Sequence, residues 1–381
     1  MDNEKRRFAV FFLTVLAIWT LMNAYVWWRI ATLPVGVRAM PRAAFIGIAA
    51  FLWISYIAAR FAERAGLTEI GRVLEWVGAH WLGIVFLALV CFLAADIVTG
   101  FGHWLTGVAP RLRLIAACVA AVLAIVANVQ GRRAPVVHDY EVQLAGLPAN
   151  LDGTKVVVLS DTHLGTMIGD DWLDQRIAEV QALRPDIIIL AGDIIEGDDE
   201  EKEERLVGSF RKLSAPMGVW AVTGNHEYYA GLDHSLKLLH DAGARVLRDE
   251  HVELRPGLVL AGVDDLTARR QRGGEIGGYI DRALNGRAPG ATIFISHSPM
   301  LPERAAALGA NIMISGHTHS GQIWPFNYAV RAFYPLVVGR YNVNGMTAIV
   351  CRGTGTWGPR MRLWGRGEIL QIVLRSGEKK S

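Results

Sequence analysis

Cysteine is scarce in this 381-residue chain, with three in all. Cys91 and Cys118 sit inside apolar runs and only Cys351 falls in the polar part, so that part cannot close an internal disulfide. No CxxC pair exists, which argues against a thiolate zinc site or a redox motif. A strong charge of either sign is missing too. The net charge of +3 is too small to argue for nucleic acid, and none is expected as a partner. Also absent is a Gly-x-Ser-x-Gly elbow, which disfavours a covalent serine-hydrolase route. Carboxylates are sparse in the first third and lie mostly after Glu141, so the two parts of the chain differ in kind.

What fills the first third is apolar sequence. Four runs, Phe8–Trp28, Ala43–Ala59, Trp76–Ala95 and Leu114–Val129, fall near the length of about 17–25 residues that a helix needs to cross hydrocarbon. The first is too long for a cleaved signal peptide and lacks a small-residue cleavage pattern before Arg29. Trp27, Trp28, Trp76, Trp81 and Trp104 stand near run ends, as interfacial aromatics do. Arg29, Asp96 and His80 are expected to reach the interface, with no buried charge to suggest an ion path. The expectation is a four-helix transmembrane region over residues 1–133, in contact with the lipid bilayer. With four spans, eight Lys and Arg (Lys5, Arg6, Arg7, Arg60, Arg64, Arg72, Arg132, Arg133) share a side with the rest of the chain. Five (Arg29, Arg38, Arg42, Arg111, Arg113) face the other. The excess places residues 134–381 in the cytoplasm, on a multi-pass protein of the inner membrane.

From Tyr140 the period changes. Tyr140, Val142 and Leu144 alternate with polar residues, and Gly153 turns the chain into Val156–Leu159, a pattern that predicts a hairpin. Further strand-like runs follow at Ile187–Leu190, Val219–Val222, Leu258–Ala261, Ile293–Ile295, Ile312–Ile314, Ala348–Cys351 and Ile369–Leu374. Between several of them Leu173, Ile177 and Val180, then Leu206, Phe210 and Leu213, then Leu232, Leu236 and Leu239 recur at helical period. Strand–helix alternation predicts an α/β domain whose chemistry collects at the carboxyl ends of strands.

Five strand ends carry polar clusters: Asp161-Thr162-His163, Gly192-Asp193, Gly224-Asn225-His226-Glu227, Ser296-His297 and Gly316-His317-Thr318-His319. Seven hard or borderline ligands suit a pair of divalent cations, and the carboxylate and imidazole donors favour manganese, iron or zinc over calcium. Asp193 is the natural bridge, since one carboxylate offers an oxygen to each ion. Asp264 and Asp265 are expected to support loops at the rim. The acid run Asp198–Glu204 reads as a solvated first helical turn. Trp324, Phe326, Tyr328, Phe333, Tyr334 and Tyr341, with Arg331 and Arg340 among them, suit either core packing or a wall that binds lipid or glycolipid.

The motif series resembles the calcineurin-like metallophosphoesterase superfamily over roughly Tyr140–Ser381. Gly262-Val263-Asp264-Asp265, Ser315–Gln322 and the stretch from Arg352-Gly353 to Arg360 resemble its membrane-anchored bacterial YkuE-like branch. Glu196 stands where the second motif usually carries an acid, and Ser320 replaces a Gly common after the last His. The resemblance implies an α/β/β/α sandwich and metal-dependent hydrolysis of a phosphoric ester by a metal-bridging hydroxide. It implies that Asp161, His163 and His319 hold one ion and Asn225, His297 and His317 the other, with Asp193 between them. His226 becomes the catalytic non-ligand, with Glu227 or Asp161 to orient it. The branch suggests a phosphodiester or pyrophosphate of a lipid, of the UDP-2,3-diacylglucosamine type in lipid A synthesis. A metal-free scaffold that keeps the fold is an alternative that the intact ligand set opposes, and a transport or sensing membrane protein is one that the lack of buried charge in the spans opposes.

Overall fold

The computed structural model describes residues 3–34, 40–165, 167–196 and 200–377. It divides into two compact units, one of Met1–Arg132 with Gly358–Trp364, the other of Arg133–Trp357 with Gly365–Ser381. The sequence places the division between 133 and 134 and leaves 358–364 with the second unit; in the structure that short segment clusters with the helices.

The first unit contains α1 (Asn3–Ala31), α2 (Arg42–Arg64), α3 (Thr68–Thr99) and α4 (Ala109–Gly131). Among the described residues three helices are long and apolar enough to cross a membrane: Arg42–Glu63, Thr68–Thr99 and Ala109–Gly131. The fourth expected span, Phe8–Trp28, lies within α1, and part of it falls on side chains outside the described set. Outward-facing positions such as Ile46, Phe51, Ile115, Val122 and Ile125 are exposed and apolar, which water would penalise and lipid does not.

One expectation for these helices fails, the absence of buried charge: Asp96 is 0% and Arg29 3% exposed. The Asp96 carboxylate lies 2.5 Å from Arg29 Nε and accepts from Arg113 Nε at 2.9 Å and from the Tyr25 hydroxyl at 2.6 Å. Arg113 also donates to the Phe101 carbonyl at 3.0 Å, beyond the end of α3. An acid on α3 facing arginines from α1 and α4 leaves none of these buried charges without a counter-charge. Trp81 and His80 are buried as well. The Trp81 indole donates to Asn23 Oδ1 at 2.8 Å and its ring lies 5.4 Å from that of Trp27.

The second unit stacks two six-stranded sheets. The first runs in the order β1 (Val136–Ala145), β12 (Glu368–Gly377), β2 (Lys155–Leu159), β3 (Ile187–Leu190), β4 (Val219–Ala221), β5 (Arg245–Val246). The second runs β10 (Gly339–Val343), β11 (Met346–Val350), β9 (Ile312–Ser315), β8 (Ala291–Ile295), β7 (Leu258–Gly262), β6 (Glu250–Arg255). The predicted hairpin of β1 and β2 is not formed. Instead β12 enters between them, parallel to β1 and antiparallel to β2.

Period-two alternation sends each strand's apolar side chains to two different layers. Val156, Val158, Ile187 and Ile189 meet Leu260, Ile293, Ile295, Ile312 and Ile314 between the sheets. The intervening Val157, Leu159, Ile188 and Leu190 pack under α5 (Asp170–Ala182), α6 (Glu200–Phe210) and α8 (Leu232–Asp241) through Leu173, Ile177, Leu206, Phe210 and Leu239. Across the second sheet Ala261, Phe294, Met313 and Ala348 meet α10 (Gly277–Leu284) and α11 (Pro302–Ala307). The result is helices, sheet, sheet, helices. Three further helices, α7 (Asn225–Ala230), α9 (Leu266–Gln271) and α12 (Phe326–Phe333), follow strands β4, β7 and β9.

Candidate metal centre

Loops after β2, β3 and β4 of the first sheet and after β8 and β9 of the second bring the predicted side chains together. Asp161, His163 and His319 form one group and Asp193, His297 and His317 another, and within each the nearest ligand atoms lie within 4.8 Å of one another. His163 Nε2 is 3.0 Å from His319 Nε2, and His319 Nε2 is 3.3 Å from Asp161 Oδ1. His297 Nε2 is 3.1 Å from Asp193 Oδ2, and that oxygen is 3.9 Å from His163 Nε2. Asp193 thus stands between the two groups. Asn225 is 6% exposed, and its Oδ1 has no hydrogen-bond partner.

The backbone is bent to make this convergence. Asp161, His163, Asp193, His317 and His319 all have φ between 46° and 71°, a left-handed region that costs a non-glycine residue and concentrates at functional sites. Close packing explains two of the motif glycines. A Cβ on Gly224 would overlap the Asp193 carboxylate, and one on Gly316 would overlap Ser160 Oγ and the Asp161 carboxylate.

Surrounding groups fix the orientation of each donor. His297 Nδ1 faces the Ala191 carbonyl at 2.8 Å, so its Nε2 is turned to Asp193. The Tyr334 hydroxyl meets His317 Nε2 at 2.7 Å. Ser160 donates to Asp161 Oδ2 at 2.5 Å, and the His317 amide to Asp161 Oδ1 at 2.9 Å. Nothing in the motif spacing marks Tyr334 for this contact.

Glu196 has a larger part than the sequence indicates. Its Oε1 contacts His163 Nδ1 at 2.6 Å and also His226 Nδ1, whose ring stands 4.8 Å from that of His163 at 88°. It, and neither Glu227 nor Asp161, orients the His226 ring. Glu227 is 1% exposed and points into the backbone instead. It accepts from the amides of Asp193 at 3.0 Å, Ile194 at 2.7 Å and Gly224 at 2.6 Å, tying the β3 loop to the β4 loop. The rim acids are structural as expected. Asp264 holds Arg248 and Arg269, while Asp265 caps α9 through the Ala268 amide and accepts from Ser298. Of the acid run, 198 and 199 lie outside the described residues, and Glu203 is buried against His234 at 2.9 Å.

The electrostatics call for cations. Burial would raise the Asp193 carboxyl, yet the facing His297 and His226 hold it well below the usual range, and Glu196 is held low against burial by His163 and His226. Burial disfavours the His226 imidazolium, but Glu196 and Asp193 outweigh it and raise that ring to about 9. Burial, reinforced by His297, pushes His317 down to about 3. Buried carboxylates with an unsatisfied amide oxygen, imidazoles and no thiolate at the site fit a dinuclear divalent metal centre, without fixing which metal.

Residues 154–321 match the family described as calcineurin-like phosphoesterase. A zebrafish (Danio rerio) transmembrane protein with metallophosphoesterase domain is 34% identical over 277 residues, 70% of this chain and 63% of the relative. The chain thus spans less than two thirds of that relative's length. An uncharacterised metallophosphoesterase of Aquifex aeolicus is 32% identical over 247 residues, 63% of this chain and 91% of the relative. The metallophosphoesterase YkuE of Bacillus subtilis is 27% identical over 255 residues, 62% of this chain and 85% of its own length. With its motif residues gathered at the ends of strands from both sheets, the chain belongs to the calcineurin-like metallophosphoesterase family, as a membrane-associated member.

Proposed function

We propose that this protein is a membrane-bound phosphoesterase that cleaves a phosphodiester or pyrophosphate bond of a lipid-linked substrate at the cytoplasmic face of the inner membrane. The observation that carries the reading is the pair of ligand groups meeting at Asp193, with His226 beside them. Asp161, His163 and His319 would hold one ion, Asn225, His297 and His317 the other, and Asp193 both. Two divalent ions held there would supply a water of lowered pKa and positive charge for the phosphoryl oxygens. Glu227 keeps Asp193 in place by fixing its backbone amide, and Glu196 sets the ring orientation of His163 and His226 together. His226, whose amide donates to Asp193 Oδ1 at 2.8 Å, keeps its other ring nitrogen for the departing oxygen, to which it would deliver a proton.

Four spans, α1 included, would put the N-terminus and residues 134–381 on one side, and the excess of Lys and Arg there supports a cytoplasmic position for that side. A tether raises the local concentration of any substrate confined to the bilayer, an advantage a soluble ester would not need. The test uses full-length protein in bilayers, loaded in turn with manganese, iron or zinc. It compares lipid-linked and water-soluble phosphoesters with the same reacting group. Faster turnover of the lipid ester is expected, and Asp193→Ala should abolish both activities. Equal turnover of the two esters by the wild type would remove the lipid-linked substrate; no turnover of either would remove the enzyme reading.

A further inference from the structure

Helix α12 leaves the catalytic unit in an unusual state. It is anchored at both ends, by buried Ile323 before it and buried Leu336 and Val337 after it, yet none of its own residues is buried. Phe333 is 79% and Tyr328 62% exposed, with Phe326 about half and Trp324 more than a third exposed beside them. Phe326 and Phe333, seven residues apart, share one face of the helix with Val330, an apolar patch of a kind that water-facing surfaces rarely present. Tyr334, at the end of the helix, turns inward to His317, so the patch is fastened to the site and is not a frayed loop.

Charge says what partner suits it. Between Glu303 and Glu368 the sequence contains no Asp, Glu or Lys and only arginine as a charged side chain, among which Arg331 and Arg340 are exposed. Rings that bury at head-group depth, with the Arg331 guanidinium on the same helix and no acid anywhere along it, make an interfacial helix for an anionic bilayer. A soluble anion would have no use for the rings.

We propose that α12 with Trp324 is a second membrane contact, lying in the head-group layer of anionic phospholipid and belonging to the catalytic unit itself. The inference rests on the membrane-bound reading above but not on the identity of the substrate. Lipid contact here would bear on a segment joined through Tyr334 to His317.

The test is photo-crosslinking of the full-length protein in bilayers that contain a diazirine-tagged phospholipid. Two membranes are compared, phosphatidylcholine alone and phosphatidylcholine mixed with phosphatidylglycerol, and adducts are mapped by mass spectrometry. Adducts are expected within residues 324–334, stronger in the anionic membrane, and mostly lost in the double variant Phe326→Ser, Phe333→Ser. Adducts confined to the N-terminal helices would overturn the proposal. So would chain-to-chain adducts through α12, which would assign the patch to a second copy. Adducts indifferent to phosphatidylglycerol but displaced by added lipid-linked phosphoester would also overturn it, making the patch a slot for the substrate's tail. Hydrolysis of bis-nitrophenyl phosphate by the wild type in the same bilayers reports separately on the phosphoesterase reading.

Discussion

Glu196→Gln isolates the carboxylate that serves two histidines. In the wild type, Oε1 is shared by His163 Nδ1 at 2.6 Å and His226 Nδ1. The amide keeps the shape but loses the negative charge, and its single carbonyl oxygen must serve both rings or abandon one. A hydrogen bond to a charged group contributes about 1.5–3 kcal/mol, and the side chain of Glu196 is 26% exposed, so the lower half of that range applies. At about 1.4 kcal/mol per factor of ten, kcat on a soluble aryl phosphodiester should fall roughly 10- to 40-fold. His163 loses the same support, so affinity for the first ion should weaken, within the roughly 10- to 100-fold typical of groups that orient a metal-ligating histidine. The assay measures kcat across a metal titration, so that turnover at saturating metal reports on His226 and the midpoint on His163. Wild-type kcat at saturating metal would refute the orienting of His226 by Glu196. A wild-type midpoint would refute its hold on His163.

Three further outcomes follow from the same geometry. His226→Gln should retain both ions, by metal analysis, while turnover falls about 10²- to 10⁴-fold, the range for general acid–base help; loss of an ion would make His226 a ligand. Glu227→Ala strands three buried amides at about 1–3 kcal/mol each, so the unfolding temperature of the second unit should drop even without metal. An unchanged temperature would mean that water replaces the carboxylate. Asp96→Asn leaves Arg29 and Arg113 buried without their counter-charge at about 3–5 kcal/mol. It should shorten survival of the monodisperse protein on heating in detergent, whereas replacing all three residues by leucine should recover much of the loss; equal damage in both variants would contradict the pairing.

The parts of the fold that were legible in the sequence are those written locally. Val156–Leu159, Ile187–Leu190 and Ile312–Ile314 are short apolar runs ending in polar motifs, and each is a strand that ends in a loop of the metal centre. The partner of β1 was not legible. Val142 and Leu144 alternate just as a hairpin strand would, but the strand that pairs with them starts at Glu368, and no local pattern specifies a ladder between segments so far apart. Asp96 fails for a related reason. A single acid near the end of an apolar run looks the same whether it faces head groups or two arginines from other helices. Glu196 lies between: its position three residues after Asp193 is a sequence signal, but only the folded loops show that its carboxylate reaches two rings instead of one.

The interior position of β12 has a consequence for how the protein is made. It follows every other strand in the sequence, yet it supplies the ladder on both sides, to β1 and to β2. As the chain leaves the ribosome, β1 emerges early and must wait, unpaired along its whole length, until residues 368–377 arrive. The edge of β2 is open over the same interval, and a waiting edge is a template for wrong pairing. His319, one of the proposed ligands, is itself followed by two more strands of the second sheet before β12 appears. Closure of the first sheet, and any retention of ions that depends on both sheets, therefore wait until residues 368–377 have been made, when the N-terminal helices have long since been available to the membrane.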